Sequence, residues 1–358
     1  MATTLKVESA VRERYSEAAG TRVQALCCPI EYDRQFLKVI PQEVIDRDYG
    51  CGDPSKHLKP GETVLDLGSG TGKICFIAAQ VVGPSGRVIG VDMNDDMLAL
   101  ARKYAPVVGE AIGFHNVEFR KGRIQDLALD IEKLDFDLKA NPIRGADSFI
   151  AAEARAEELR ITNPLIANDS IDVVVSNCVL NLVEPRAKQQ LFREIYRVLR
   201  DGGRAVISDI VSDATVPMEM QNDPQLWSGC ISGALTEEMF IRAFVEAGFY
   251  GVRILKRDSQ PWQTVGGIEF RSLTIEAFKG TRDDGSARDH TVIYKGPFKE
   301  VVDDQGQRIE RGQRCAVSAG TFQQYGREPY KEHFELAGAD AKAPASDGNG
   351  CCNGESCC

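Results

Sequence analysis

A short apolar run, ETVLDL (residues 62–67), opens onto the glycine-rich DLGSGTG (66–72) and then onto KICFIAAQVV (73–82). A strand that turns through closely spaced glycines into an apolar helix belongs to very few folds. The pattern then repeats. Residues 87–93 (RVIGVDM) read as a second strand and 95–104 as a second helix. Residues 117–120 form a third strand, 171–176 (IDVVVS) a fourth and 204–210 (RAVISDI) a fifth. The fourth is apolar at its centre, as a parallel strand covered on both faces should be. Residues 184–200 have helical spacing and run into Asp201-Gly202-Gly203, which reads as a C-cap. Strands alternating with helices predict an α/β, doubly wound parallel sheet.

The chemistry is concentrated at the first turn. Gly68, Gly70 and Gly72 let the backbone turn tightly and approach a ligand, with Ser69 among them. The spacing is neither that of a dinucleotide fingerprint nor that of a P-loop, because Leu67 and Ile74 stand where a P-loop needs Gly and Ser/Thr. Asp66, just before the glycines, suits a ligand with a cationic amino-acid end; S-adenosylmethionine has one and NAD does not. Asp92, ending the second strand beside Met93, is placed to accept hydrogen bonds from ribose hydroxyls. Ile124 and Gln125, after the third strand, can flank and hydrogen-bond an adenine.

Of 358 residues, 43% are hydrophobic and 27% charged, and the net charge is -10. That balance disfavours nucleic acid and anionic lipid as partners and favours a small-molecule substrate. No apolar run approaches a membrane span, and residues 1–15 lack the apolar core of a signal peptide. A cytoplasmic, thiol-reducing location is therefore expected, which makes eleven cysteines the number to explain. Cys178 directly follows the fourth strand. Cys230 lies in LWSGCISGA (226–234), and Cys51 lies between two glycines in DYGCGDP (48–54), a spacing that reads as a flexible ligand loop. On spacing alone three readings stand: unrelated buried thiols, a zinc site, or one shared ligand site. A structural zinc site usually brings paired C-x2-4-C ligands, which these three lack. Cys75, inside an apolar helix, reads as packing, and Cys315 has no assigned place.

Five segments, DYGCGDP, DLGSGTG, SNCVLNLV (176–183), GGRAVISD (202–209) and LWSGCISGA, resemble arsenite methyltransferases over residues 15–279, more weakly to 330. The resemblance implies a class I, Rossmann-like methyltransferase fold that transfers methyl groups from S-adenosylmethionine to As(III) held by Cys51, Cys178 and Cys230. Tyr49, Met93 and Asn177 join the expected cofactor residues, and Tyr49 or Trp227 is expected to face the sulfonium. Cys27-Cys28 matches a redox position, one of the two pairing with Cys51, with thioredoxin or glutathione as external reductant; arsenite or its thiol conjugates are the expected substrate. The expected organisation is an N-terminal thiol-bearing arm (1–60), a cofactor domain (61–214) carrying a helical insertion (126–169), an arsenic-binding region (215–280), a β-rich region (281–335) and a disordered cysteine-containing tail (336–358). The insertion and the cysteine doublet depart from the family pattern. Two rival readings are a methyltransferase for an organic acceptor, such as a quinone or sterol, and a non-catalytic metalloid-binding thiol protein.

Overall fold

The computed structural model describes residues 7–20, 30–47, 49–280 and 287–337, and contacts divide the chain into units 1–280 and 281–358. In the first unit the strands are β1 (Thr63–Leu67), β2 (Arg87–Asp92), β3 (Val117–Lys121), β4 (Ile171–Asn177), β5 (Leu199–Ser212), β6 (Leu235–Thr236), β7 (Tyr250–Arg257), β8 (Gln263–Val265) and β9 (Ile268–Phe278). The helices are α1 (Val7–Gly20), α2 (Arg34–Leu37), α3 (Gln42–Asp46), α4 (Lys73–Val82), α5 (Asp95–Ile112), α6 (Ile131–Ala140), α7 (Ala146–Thr162), α8 (Pro185–Val198), α9 (Met218–Gln221), α10 (Pro224–Ser228) and α11 (Glu237–Ala247). Sheet order is β3-β2-β1-β4-β5-β9-β7; β1 to β5 are parallel along this path, and β9 is antiparallel to both β5 and β7. The doubly wound α/β fold is the one expected. Strand order reverses between β1 and β4, so a crevice opens beyond their carboxyl ends, where such folds bind ligands.

Apolar positions of β1, β4 and β5 are fully buried, with Leu65, Val174 and Ile207 facing the side covered by α8 and α11, and Val64, Val173 and Val206 facing α4 and α5. The helix at 73–82 has the expected bounds. The second helix runs past its expected end to Ile112, through Pro106, and stops at left-handed Gly113. The expected cap at Asp201-Gly202-Gly203 is not one. Helix α8 ends at Val198, the chain passes directly into β5, and Gly202 adopts φ +74° while donating its N–H to the Lys279 carbonyl. Close approach is the physical reason for Gly203: a Cβ there would crowd the carbonyls of Arg200, Asp172 and Ile171. The insertion forms the helix pair α6 and α7, and the strands of 215–280 extend the main sheet.

Among its described residues the second unit has a three-stranded sheet of His290–Tyr294, Arg314–Val317 and Phe334–Leu336, a two-stranded ribbon of Glu300–Val302 and Arg308–Glu310, and the helix Ala319–Tyr325. Its core stacks Tyr325 on Phe334, and the half-buried Cys315 thiol accepts from Gln307 Nε2. No helix among the described residues is long and apolar enough to cross a membrane.

Candidate functional site

A pocket sits at the switch point. Its wall includes Gly68 and Gly70 from the β1 turn, Asp92 and Met93 from the end of β2, Ile124 and Gln125 after β3, Cys178 and Val179 after β4, and Tyr49. Asp92 accepts from the Gly70 N–H at 2.9 Å and the Asn94 N–H at 2.8 Å, which ties the acid to the glycine turn. Burial raises its carboxyl above the ordinary value, against the pull of those N–H donors. Gly68 is at φ +67° and presses on Val179, so a Cβ would collide with that side chain.

Four expected cofactor residues do not line this pocket. Asp66 is buried and accepts from the Cys75 thiol at 3.2 Å. Ser69 is buried, and Gly72 caps α4 against Phe119. Asn177 turns its amide to the other side, onto the Cys51 segment. Trp227 is also displaced from its expected role: it is 2% exposed, packs with Val7 and Val11, and donates to the Leu182 carbonyl at 3.2 Å. It pins α10 to the turn after Cys178 rather than facing the pocket.

The N-terminal segment is helical, as the arm reading has it, but its place at the pocket was not read from the sequence: Glu8, Val11, Arg12 and Tyr15 of α1 line the wall. Glu8 accepts from Gln125 at 3.0 Å and Arg123 at 3.1 Å. Asn94 Nδ2 donates to the Arg12 carbonyl and to Ser16. On its other face Arg14 reaches the Gln225 carbonyl and Ser228, both at 2.7 Å. One helix thus touches both the cofactor-side loops and the segment carrying Cys230. Tyr15 meets Tyr49 edge to face at 6.1 Å; burial, then the Cys230 and Cys178 thiols, pushes its phenol well above the ordinary value.

The three singled-out thiols converge beside this wall. The Cys51 and Cys178 sulfurs and an Asp209 carboxylate oxygen lie within 4.8 Å of one another. Cys230 donates its S–H to the Cys178 carbonyl at 3.1 Å, close enough for each thiol to shift the other's proton affinity. Contact with Cys230 pulls the Cys178 thiol down, but contact with Cys51 and burial push it up further, leaving it well above its ordinary value. Cys230 is likewise raised, by Cys178 and by burial.

The backbone that achieves this is unusual. Cys178 and Cys230 are two of only three non-glycine residues at positive φ among the described ones, at +65° and +63°. Such strain persists where surrounding bonds over-determine it. The Cys178 N–H donates to the Ser208 carbonyl at 2.8 Å. Asn181 Nδ2 donates to the carbonyls of Ile210 (2.6 Å) and Cys230 (3.3 Å), joining the two cysteine turns. Gly233 is required there, because a Cβ would run into the Asn181 carbonyl.

The Cys51 segment is not the flexible loop its glycines suggest. Cys51 is 2% exposed. Asn177 Oδ1 accepts from the N–H of Cys51 (2.9 Å) and Gly52 (3.0 Å), while its Nδ2 donates to the Gly52 carbonyl (2.8 Å) and Tyr32 hydroxyl (3.2 Å). Glycine is needed for contact: a Cβ on Gly50 would strike Asn177, and one on Gly52 would strike Ser208. Cys27 and Cys28, and the tail cysteines, lie outside the described residues.

Asp209 was also missed. It is fully buried and accepts from the N–H of Leu180 (2.8 Å), Asn181 (3.3 Å) and Ile210 (2.7 Å). Burial pushes its carboxyl up to about 6, and pushes nearby Lys188 down to about 8. A larger cavity of ≈ 460 Å³ lies behind the Cys230 turn, against Lys188, Phe192, Gly233 and Arg242. It holds neither the glycine turn nor a cysteine; the smaller pocket has both, in Gly68, Gly70 and Cys178.

A switch-point pocket with a glycine turn and a strand-end acid fits one class, the S-adenosylmethionine-dependent methyltransferases. A family model described as "Methyltransferase domain" matches residues 58–248, and one described as a domain of unknown function (DUF8838) matches 282–357. The chain is 32% identical over 317 residues to an arsenite methyltransferase of Aquipseudomonas alcaligenes, covering 85% of this chain and 81% of that one. It is 30% identical over 328 residues to the arsenite methyltransferase of Mus musculus, covering 88% and 78%. Its structure resembles that of an arsenic(III) S-adenosylmethionine methyltransferase from Chlamydomonas reinhardtii at TM-score 0.57 and 27% identity, covering 88% of this chain and 98% of that one. The chain belongs to the arsenite methyltransferase family: it is an enzyme that methylates trivalent arsenic from S-adenosylmethionine.

Proposed function

We propose that Cys51, Cys178 and Cys230 hold As(III) as thiolates while its lone pair takes the methyl group. The observation that carries this is the convergence of three thiols, from segments far apart in sequence, on a turn that also lines the cofactor pocket. Soft thiolates match As(III). Three protonated thiols condense with As(OH)3 to form three As–S bonds and release three waters, so the raised proton affinities of Cys178 and Cys230 need no external base. This favours protein-held arsenic over the rival readings, which leave the thiols without a common role or the cofactor pocket without a use.

The cofactor residues proposed are Asp92 for the ribose, Gly68 and Gly70 for close backbone approach, Met93, Ile124 and Gln125 around the adenine, and Tyr49 with Tyr15 as the aromatic wall. S-adenosylmethionine supplies an electrophilic methyl on a positively charged sulfur. Cys178 fixes the acceptor against that wall, and holding reacting atoms near attack distance contributes several kcal/mol. The As–C bond forms from the arsenic lone pair as the sulfur–methyl bond breaks, so arsenic rises formally from +3 to +5. Two thiols return the two electrons by joining as a disulfide, with Cys51 and Cys27 or Cys28 as the pair and thioredoxin or glutathione as the resetting reductant. The test is one incubation of protein, labelled S-adenosylmethionine, arsenite and thiol. Label in methylated arsenic supports the reading; label transfer with all three of Cys51, Cys178 and Cys230 changed to serine would refute the thiolate site.

A further inference from the structure

Trivalent arsenic keeps a lone pair and is satisfied by three sulfurs. The cluster nevertheless contains a fourth donor. One Asp209 oxygen lies within 4.8 Å of both the Cys51 and the Cys178 sulfur, and the Cys230 sulfur, outside that trio, reaches the Cys178 carbonyl at 3.1 Å. The carboxylate is held in place by backbone hydrogen bonds, as ligating carboxylates are: the Leu180 and Asn181 N–H groups donate to one oxygen and the Ile210 N–H to the other. It is completely buried, and Lys188 stands close enough to offset negative charge that accumulates there. Two thiols and one carboxylate within ligand reach of one another, with the Cys230 thiol at the adjoining turn as a fourth donor, suit a tetrahedral d10 cation, and the soft ligands select against magnesium or calcium.

We infer that the arsenic-free site binds a thiophilic divalent cation, Zn2+ or Cd2+, through Cys51, Cys178, Cys230 and Asp209, and that this cation competes with arsenite. Binding expels three thiol protons to solvent and leaves every oxidation state unchanged. Arsenic needs the thiols but not Asp209, whereas the cation needs both, and that asymmetry separates the two ligands. The inference shares its thiols with the arsenic reading but not its chemistry.

The test uses Cd2+ on the full-length chain carrying Cys→Ser at positions 27, 28, 351, 352, 357 and 358, so that other clustered thiols do not compete. One cadmium per chain with thiolate-to-cadmium ultraviolet absorption is expected. Asp209→Asn, which keeps one acceptor oxygen for the Leu180 and Asn181 N–H groups and gives up the acceptor of the Ile210 N–H, should weaken that binding at least tenfold while arsenite affinity stays within about threefold. Cadmium bound equally tightly by Asp209→Asn, or no stoichiometric binding before substitution, overturns the inference. A second arm needs no folded variant: with the unaltered chain, inhibition of methylation by Zn2+ should be relieved by raising arsenite and not by raising S-adenosylmethionine. Inhibition indifferent to arsenite also overturns it. Should the chain fail to methylate arsenite, the cadmium titration still stands alone, so the two readings fail separately.

Discussion

Replacing Asn177 by alanine distinguishes a cofactor residue from a scaffold for arsenic capture. The substitution removes the acceptor for the Cys51 and Gly52 N–H groups and the donor to the Gly52 carbonyl, all buried, together with the bond to Tyr32. A buried polar group left unpaired costs about 1–3 kcal/mol. Three such groups sum to at least about 3 kcal/mol, less whatever water regains by entering the gap. Strand β4 keeps its ladder to β1 and β5, so the loss falls on the Cys51 segment rather than on the sheet. At about 1.4 kcal/mol per factor of ten, affinity for arsenite, which needs Cys51, should drop roughly tenfold to hundredfold. Monomethylarsenite, which needs two thiolates, should bind nearly as before through Cys178 and Cys230. S-adenosylhomocysteine affinity, read by titration calorimetry, should stay within about twofold because Asn177 is off the pocket wall. Loss of S-adenosylhomocysteine affinity in step with arsenite would refute this reasoning and return Asn177 to the cofactor.

Asp92→Ala should weaken S-adenosylmethionine binding while sparing arsenite; in the unaltered chain, because burial raises the Asp92 carboxyl, cofactor affinity should fall on acidification at a higher pH than an ordinary carboxylate would give. Equal calorimetric affinity in the variant removes Asp92 from the site. Glu8→Ala cuts the contacts of α1 with Gln125 and Arg123; such partly exposed bonds are worth up to about 1 kcal/mol, so stopped-flow release of S-adenosylhomocysteine should quicken about twofold to fivefold, and an unchanged rate would mean that these contacts do not hold α1 over the cofactor. Asp209 is pushed up to about 6, above its unfolded value near 3.9. Between those values the folded chain holds a proton that the unfolded chain has lost, so stability falls as pH rises from about 4 to about 6. Asp209→Asn lacks that slope, and denaturant midpoints should show it gaining on the unaltered chain across this window; parallel curves would contradict the burial of an ionisable Asp209.

The sheet was legible because its strands are apolar runs bounded by glycine turns, and α4 was legible to the residue for the same reason. The cysteines were legible as a group only through resemblance to a family, since their spacing alone left packing and zinc open. What stayed hidden depends on side-chain direction and on contacts across long loops. Asp209 reads as one polar residue inside a strand expected to end at Ile210; the strand continues to Ser212, and its carboxylate turns under the Cys178 loop. Asn177 ends β4 in the place expected of a cofactor residue, yet its amide faces the Cys51 segment. Helix α1 has no strong apolar stripe and reads as an arm, because what it covers is a pocket edge made by separate segments scattered from Tyr49 to Gln125 and beyond. The glycines beside Cys51 signal close packing as readily as flexibility, and only the position of Asn177 and Ser208 separates the two.

The claim that three cysteines share one arsenic atom is tested most directly by single-turnover methylation with Cys51→Ser, Cys178→Ser and Cys230→Ser, each given arsenite and, separately, monomethylarsenite. All three variants should fail on arsenite. Cys51→Ser alone should still methylate monomethylarsenite, because two thiolates suffice for it, while Cys178→Ser and Cys230→Ser should not. Arsenite methylation at the unaltered rate by Cys178→Ser or Cys230→Ser would contradict the shared site.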